Sequence, residues 1–260
     1  MHTIYSIVVF IFGAAIGSFL NVCIYRIPRK KSLIRPSSSC PACEKPIRFY
    51  DNIPLVSYVL LRGKCRDCGA GFSFRYFLVE LITAVIFMMI YRRWGFSYEF
   101  FIQTFFVAVL IVISFIDYDF QIIPDILSIG GMVAGILIAF VRPGFRVMDA
   151  VYGVLIGGGV LFVIAWGYQL ITKREGMGGG DIKLLAMIGS FSGLKGVIFS
   201  LIGGSVIGTL VGIPLMLLKG KEEGTRYAIP FGPFLSLAAV VYLFMGPGVI
   251  RAFNELFLIR

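Results

Sequence analysis

The chain has 260 residues, of which 58% are hydrophobic and 15% are charged, and its mean hydropathy is +0.90. Long apolar stretches interrupted by short charged clusters are typical of a helical protein that crosses the membrane several times. The single histidine, His2, excludes Ser-His-Asp and Cys-His nucleophile systems and zinc-peptidase HExxH motifs, so carboxylates and cysteines are the main chemical resources.

The net charge of +10 comes from 24 Lys and Arg against 14 Asp and Glu. In a soluble chain this excess would indicate nucleic acid. In a membrane protein, however, basic residues concentrate on the cytoplasmic side. We therefore interpret the charge as topology, with the lipid bilayer as partner and no nucleic acid.

The first apolar segment, residues 3–25, is long enough to span a membrane. Residues 1–6 contain no Lys or Arg, whereas basic residues follow the segment from Arg26 onward. We predict a retained first helix, domain 1–25, whose N-terminus lies outside the cytoplasm. Gly13 and Gly17 fit close packing against a neighbouring helix.

Residues 26–76 form a polar module with eleven Lys and Arg against three acids, and we predict that it is cytoplasmic. Two CxxC pairs lie within it, separated by 21 residues, which is a spacing typical of structural zinc sites. The predicted zinc ligands are Cys40, Cys43, Cys65 and Cys68. Reduced or redox-active cysteines are the alternative.

Seven further apolar segments follow, and they predict an all-α polytopic membrane protein with about eight transmembrane helices. They cover residues 77–91, 99–116, 126–141, 150–171, 183–193, 197–218 and 229–246. We assign residues 77–247 to a helical transmembrane domain and 248–260 to a C-terminal tail. The 183–193 segment is short for a span, so 183–218 forms two short helices or a more irregular structure.

Acidic residues gather at two boundaries of these apolar segments. Asp117, Asp119 and Asp125 end the third span, and Asp181 follows a run of glycines, Gly178, Gly179 and Gly180. Spans four and five form one excursion between Asp117 and Asp181, which brings both acids to the cytoplasmic edge. Asp181 as a helix cap, and Asp119 and Asp125 as solvated acids, are the simpler interpretations.

Two carboxyl groups close together in an apolar setting share one proton. One acid then activates water while its partner donates a proton, which hydrolyses a peptide bond without metal or covalent intermediate. Glycines at 178–180 would let a substrate backbone approach. We therefore predict Asp117 and Asp181 as a catalytic pair with Gly178–Gly180 as the active-site loop.

Several motifs of the sequence resemble those of a known family. Gly178–Asp181 matches the GxGD signature of intramembrane-type aspartic peptidases, and Asp117 with Ile123-Pro124-Asp125 is similar to the companion motif of prepilin peptidases. Six further segments resemble that family's first helix, cytoplasmic insert and last helix. They are Gly17–Val22 with Tyr25–Pro28, Asp51–Leu55, Leu61–Gly63 with Arg75-Tyr76, and Ile229–Leu235.

The resemblance implies a bacterial type IV prepilin leader peptidase in the cytoplasmic (inner) membrane, with its active site facing the cytoplasm. Its substrates would be type IV prepilins and pseudopilins of pili or type II secretion, cut after the glycine that ends a short basic leader. It also implies N-methylation of the new N-terminus with S-adenosylmethionine. The residues that bind this cofactor stay unassigned, because no glycine loop following a strand is legible.

Two other functions remain open from the sequence. An ion-coupled membrane transporter with a cytoplasmic zinc ribbon would use the acids as coupling sites, although it would want them near the bilayer midplane. Alternatively, the cysteine module is a protein-docking zinc ribbon on a passive membrane anchor.

Overall fold

A computed structural model describes residues 2–173, 178–218 and 230–258. The described residues are helical apart from turns and two isolated β-bridges, which confirms the predicted all-α fold. The helices are α1 (His2–Arg26), a 3₁₀ helix (Phe49–Asn52), α2 (Val56–Leu60), α3 (Phe74–Trp94), α4 (Tyr98–Phe120), α5 (Asp125–Ala139), α6 (Val147–Thr172), α7 (Gly179–Leu218) and α8 (Gly232–Leu258).

Five helices within the described ranges are long and apolar enough to cross a membrane, namely α1, α3, α4, α6 and α7. Two shorter apolar helical stretches, α5 and residues 232–246 of α8, accompany them. The protein is therefore a multi-pass membrane protein, while the number of about eight spans stays a prediction. α8 runs on through residues that we had expected to form a C-terminal tail.

The chain divides into two compact units, Met1–Val112 and Ile113–Arg260, and the boundary falls within α4. In the first unit α1 packs against α3. A Cβ atom at Gly13 would lie 2.8 Å from Ala84 Cα, and one at Gly17 would lie 2.7 Å from Glu80 Cα. Both distances are too short for a side chain, so these glycines allow the two helices to touch, as the sequence predicts.

In the second unit α7 packs against α5, α6 and α8. Gly153 of α6 and Gly189 of α7 meet backbone to backbone, and a Cβ at Gly157 would lie 2.7 Å from the Leu185 carbonyl oxygen. Small residues on both helices let their backbones approach closely. α7 is thereby held at the centre of this unit.

α7 agrees with the prediction that residues 183–218 contain two helices, because two helices meet across a kink at Gly193. It runs continuously over 40 residues except at Gly193, whose φ of +65° and ψ of −170° are not helical. A straight helix of this length would measure about 60 Å, roughly twice the thickness of the hydrocarbon core. Glycine permits the break because it adopts positive φ without a steric penalty.

A basic side chain satisfies a backbone group beside this break. The Arg142 Nη1 donates a hydrogen bond of 2.6 Å to the Phe191 carbonyl oxygen, two residues before Gly193. Backbone carbonyl groups near a helix interruption need another donor when they are away from water. This contact gives Arg142 a structural role beside the kink in α7.

Candidate active site

Asp117 lies in the last turn of α4 and is buried, with 6% of its surface exposed. The helix ends three residues later, and the N–H of Gln121 donates to the Asp117 carbonyl oxygen at 2.8 Å. Pro124 then occupies the N-cap of α5. Because proline cannot continue a preceding helix, the chain turns directly after the acid.

The Asp117 carboxylate meets the beginning of α8. The backbone N–H of Gly232 donates to Asp117 Oδ2 at 3.0 Å, although the two residues are 115 positions apart. A Cβ atom at Gly232 would lie 2.6 Å from the same oxygen. A helix N-terminus presents unpaired N–H groups that favour a negative charge, so α8 both orients and stabilises this carboxylate.

Asp181 lies in the first turn of α7 and is half-buried. The charge of Asp117 acts on its carboxyl group, which places the two acids within electrostatic range of each other. Ile123 fills the space beside them, 3.0 Å from a Cβ at Gly180 and 3.3 Å from one at Gly232. The start of α7, the turn before α5 and the start of α8 therefore converge on one apolar side chain.

The described residues approach the glycine run Gly178–Gly180 unevenly. A Cβ atom at Gly178 or Gly179 would meet no atom within 4 Å, whereas one at Gly180 would press on Ile123. Of the three glycines, only Gly180 is crowded by described residues. No described atom crowds the first two, so the described part of the protein leaves room there for another peptide backbone.

The other two acids of this region are exposed. Asp119 lies on the solvent-accessible side of the last turn of α4. Asp125 begins α5 and forms an ion pair of 2.6 Å with Lys183 Nζ, with both side chains largely exposed. This pair joins the starts of α5 and α7. The geometry thus brings Asp117 and Asp181 together and leaves Asp119 and Asp125 at the surface.

Sequence reasoning missed two participants in this region. Gly232 lies within the Ile229–Leu235 segment, which was assigned only to the opening of the last helix, and its N–H contact with Asp117 was not foreseen. Lys183 was given no role in the site. The signal available for both was their position: Gly232 begins a helix, and Lys183 lies two residues after Asp181.

The four cysteines of the CxxC pairs meet in one cluster in the first unit. All four Sγ atoms lie within 4.8 Å of one another, and the Cys40 and Cys68 sulfurs are 3.7 Å apart. A tetrahedral zinc site with four thiolates has sulfur atoms about 3.8 Å apart, because each Zn–S bond is ~2.3 Å. The donor set and its spacing fit one zinc ion.

Each CxxC pair forms the same turn. The Cys40 N–H donates to the Lys45 carbonyl at 3.0 Å, and the Cys65 N–H donates to the Ala70 carbonyl at 2.8 Å. The residue after each second cysteine has positive φ, +60° at Glu44 and +70° at Gly69. Two equivalent turns therefore present their sulfurs to a common point.

The neighbouring thiols of the cluster influence one another's pKa values. Backbone N–H groups of Cys43 and Ala42 lower the pKa of Cys40 to about 7. The Ala70 N–H lowers the pKa of Cys68, but desolvation and the neighbouring thiols outweigh it and raise that pKa to about 12. Several thiolates this close repel one another, and a bound divalent cation removes that repulsion.

Two protein-family models match the sequence of this chain. Residues 11–94 match the family model described as the bacterial peptidase A24 N-terminal domain, and residues 104–213 match that of the type IV leader peptidase family. No solved structure matches the chain.

Curated relatives match almost the whole chain. A protein of Aeromonas salmonicida is 36% identical over 95% of this chain and 93% of its own length. Relatives from Pseudomonas aeruginosa and Neisseria gonorrhoeae are each 33% identical, over 94% of this chain and 91% and 92% of their own lengths. All three are named prepilin leader peptidase/N-methyltransferase.

The protein is a multi-pass membrane peptidase with a four-cysteine module. It belongs to the type IV leader peptidase family, because its relatives exceed 30% identity across most of both chains. The comparisons favour a peptidase over the ion-coupled transporter that the acids alone left open.

Proposed function

We propose that this protein removes the short basic leader of type IV prepilins and pseudopilins, cutting after the glycine that ends the leader. In this proposal Asp117 and Asp181 are the catalytic acids. The protein lies in the bacterial cytoplasmic membrane with these acids facing the cytoplasm, and it N-methylates the new N-terminus. The observation that carries the proposal is the pairing of buried Asp117 with Asp181 beside the Gly232 N–H.

The two acids divide the chemistry of hydrolysis. One carboxylate takes a proton from water, which attacks the carbonyl carbon of the scissile bond, and the protonated partner donates to the departing amine. The Gly232 N–H keeps the Asp117 carboxylate in a fixed orientation. An isolated buried acid would lack this orientation, so the hydrogen bond supports a role in chemistry.

The glycine loop supports a peptide substrate. A helical peptide bond is poorly exposed to attack, so the segment to be cut must become extended beside the acids. No described atom lies within 4 Å of a Cβ at Gly178 or Gly179, and this glycine run leads directly into Asp181. We propose that the leader's glycine-containing segment lies there, backbone against backbone.

The four-cysteine cluster is proposed to hold one structural zinc ion. The expected result is about one zinc per chain, lost in a Cys40→Ser/Cys43→Ser variant, because two remaining thiolates do not complete a four-ligand site. Metal analysis of the purified proteins measures this. A Cys23→Ser variant is the control, since Cys23 is buried in α1 and does not belong to the cysteine cluster. A wild-type protein that is folded without metal would contradict the proposal.

Incubation of the purified protein with a precursor pilin and S-adenosylmethionine tests both activities. S-adenosylmethionine supplies the methyl group when bound. Mass spectrometry of the product should show loss of the leader after its terminal glycine and one added methyl group on the new N-terminus. Omitting S-adenosylmethionine should leave cleavage intact. An uncut precursor under both conditions would refute the proposed peptidase activity.

A further inference from the structure

We propose that a cavity in the first unit binds S-adenosylmethionine, with Asn21 and Glu80 contacting its cationic groups. The inference rests on the methyltransferase activity proposed above and assigns that activity a site. The cavity measures about 590 Å³, is partly open, and is bordered by α1, the cysteine module and the beginning of α3. Sites for ligands of this size are usually clefts of about 300–1,000 Å³.

Asn21 has a buried amide oxygen that accepts no hydrogen bond from the described residues. The residue lies on α1 with 4% of its surface exposed, and it lines the cavity. Its Nδ2 donates to the Tyr76 carbonyl oxygen at 3.0 Å, which orients the amide. Its Oδ1 has no hydrogen-bond partner among the described residues. Buried acceptors are normally satisfied, so a donor on a ligand is the expected partner.

Glu80 supplies a carboxylate in the same wall. It lies on α3 with 8% of its surface exposed, accepts the Leu55 N–H at 2.8 Å and bonds with the Ser18 hydroxyl. Both partners are neutral, and within the described residues Glu80 forms no ion pair with Lys or Arg. A buried carboxylate of this kind favours a cation as its missing partner.

The other acid of the cavity is already neutralised. Asp51 forms a bidentate ion pair with Arg66, with contacts of 2.6 to 3.0 Å. This hydrogen-bonded guanidinium lowers the pKa of Asp51. Among the acids that line the cavity, Glu80 is therefore the one without a basic partner within the described residues. S-adenosylmethionine carries two positive groups, a sulfonium and an ammonium, and its ammonium can donate to Asn21 Oδ1.

Aromatic side chains complete the site. The cavity wall includes Phe19, Tyr25, Tyr58, Tyr76 and Phe77. Aromatic faces attract cations and stack on planar rings. A ligand with a sulfonium next to an adenine ring matches such a wall better than an aliphatic chain does, because an aliphatic chain would leave Glu80 and Asn21 unpaired.

The cavity also accounts for sequence segments that the peptidase pair does not use. Gly17–Val22, Asp51–Leu55 and Leu61–Gly63 each contribute residues to its wall. Gly17 has a specific reason to be glycine, because any side chain there would meet Glu80 Cα at 2.7 Å. Close contact of α1 with α3 is what brings Ser18 and Asn21 to Glu80.

Binding measurements on the full-length enzyme test the site. Equilibrium dialysis with labelled S-adenosylmethionine should show affinity weakened by at least about tenfold in Glu80→Gln, which removes the charge and keeps the shape. Asn21→Leu should weaken binding as well. Cleavage of the precursor should persist in both variants. Glu99→Gln, which changes an acid of α4 that does not line the cavity, should bind as the wild type does.

Ultraviolet crosslinking of labelled S-adenosylmethionine to the wild-type protein avoids any effect of substitution on folding. Peptide mapping should place the label within residues 15–26, 38–64 or 72–80. Label elsewhere, unchanged binding in both variants, or a copurified lipid in the cavity with binding unaffected would overturn this site. Loss of precursor cleavage by the wild type would instead refute the peptidase function, so the two failures are distinguishable.

Discussion

Replacement of either Asp117 or Asp181 by asparagine is expected to lower the rate of precursor cleavage by about 100- to 10,000-fold, the usual contribution of a general acid or base. Asparagine keeps the size of the side chain but cannot take up or release the proton. At position 117 its amide oxygen can still accept the Gly232 N–H, so the helix contact survives. Initial rates with a precursor pilin, followed by mass spectrometry, measure the effect.

Asp119→Asn is the matched control. Asp119 lies two residues from Asp117 on the same helix but is exposed, so its loss should leave the cleavage rate near that of the wild type. Methylation of an already cleaved pilin peptide reports on folding, and both catalytic variants should retain it. Wild-type cleavage in Asp117→Asn or Asp181→Asn would eliminate the proposed pair.

The spacing of cysteines within and between the two CxxC pairs was sufficient to predict the cysteine cluster. Each CxxC turn is closed by hydrogen bonds within six residues, so its geometry is encoded almost entirely by its own sequence. The two turns then need only a short chain between them to meet. Long apolar segments predicted the all-α fold, because a backbone in lipid must form its hydrogen bonds internally.

Contacts between segments that are distant in the sequence were harder to predict. The acids were expected on one face from topology, but the hydrogen bond from Gly232 joins positions 115 residues apart and depends on how α8 packs on α7. The cavity at Asn21 similarly needs α1, the module and α3 together. The interruption of α7 was expected between residues 193 and 197, but its reduction to the single non-helical residue Gly193 was not, because sequence patterns do not distinguish a one-residue break from a connection between helices.

Gly232→Ala is expected to lower the cleavage rate by about 100-fold, the effect of roughly 1 Å of misplacement in a catalytic group. The added methyl group would lie 2.6 Å from Asp117 Oδ2, well inside van der Waals contact. Either the carboxylate rotates away or the start of α8 moves, and both responses break the 3.0 Å hydrogen bond. Gly159→Ala is the control, because a Cβ there meets no atom within 4 Å.

A double substitution separates positioning of Asp117 from general damage to the fold. If Gly232 acts through the Asp117 carboxylate, Gly232→Ala should add almost nothing to the loss in Asp117→Asn, since residues that work as one unit are not additive. Independent damage would multiply the two losses. Multiplied losses, or equal cleavage by Gly232→Ala and the wild type, would show that α8 does not orient the acid. Non-additivity would make the N-terminus of α8 a third part of the site, beside the α4 and α7 acids.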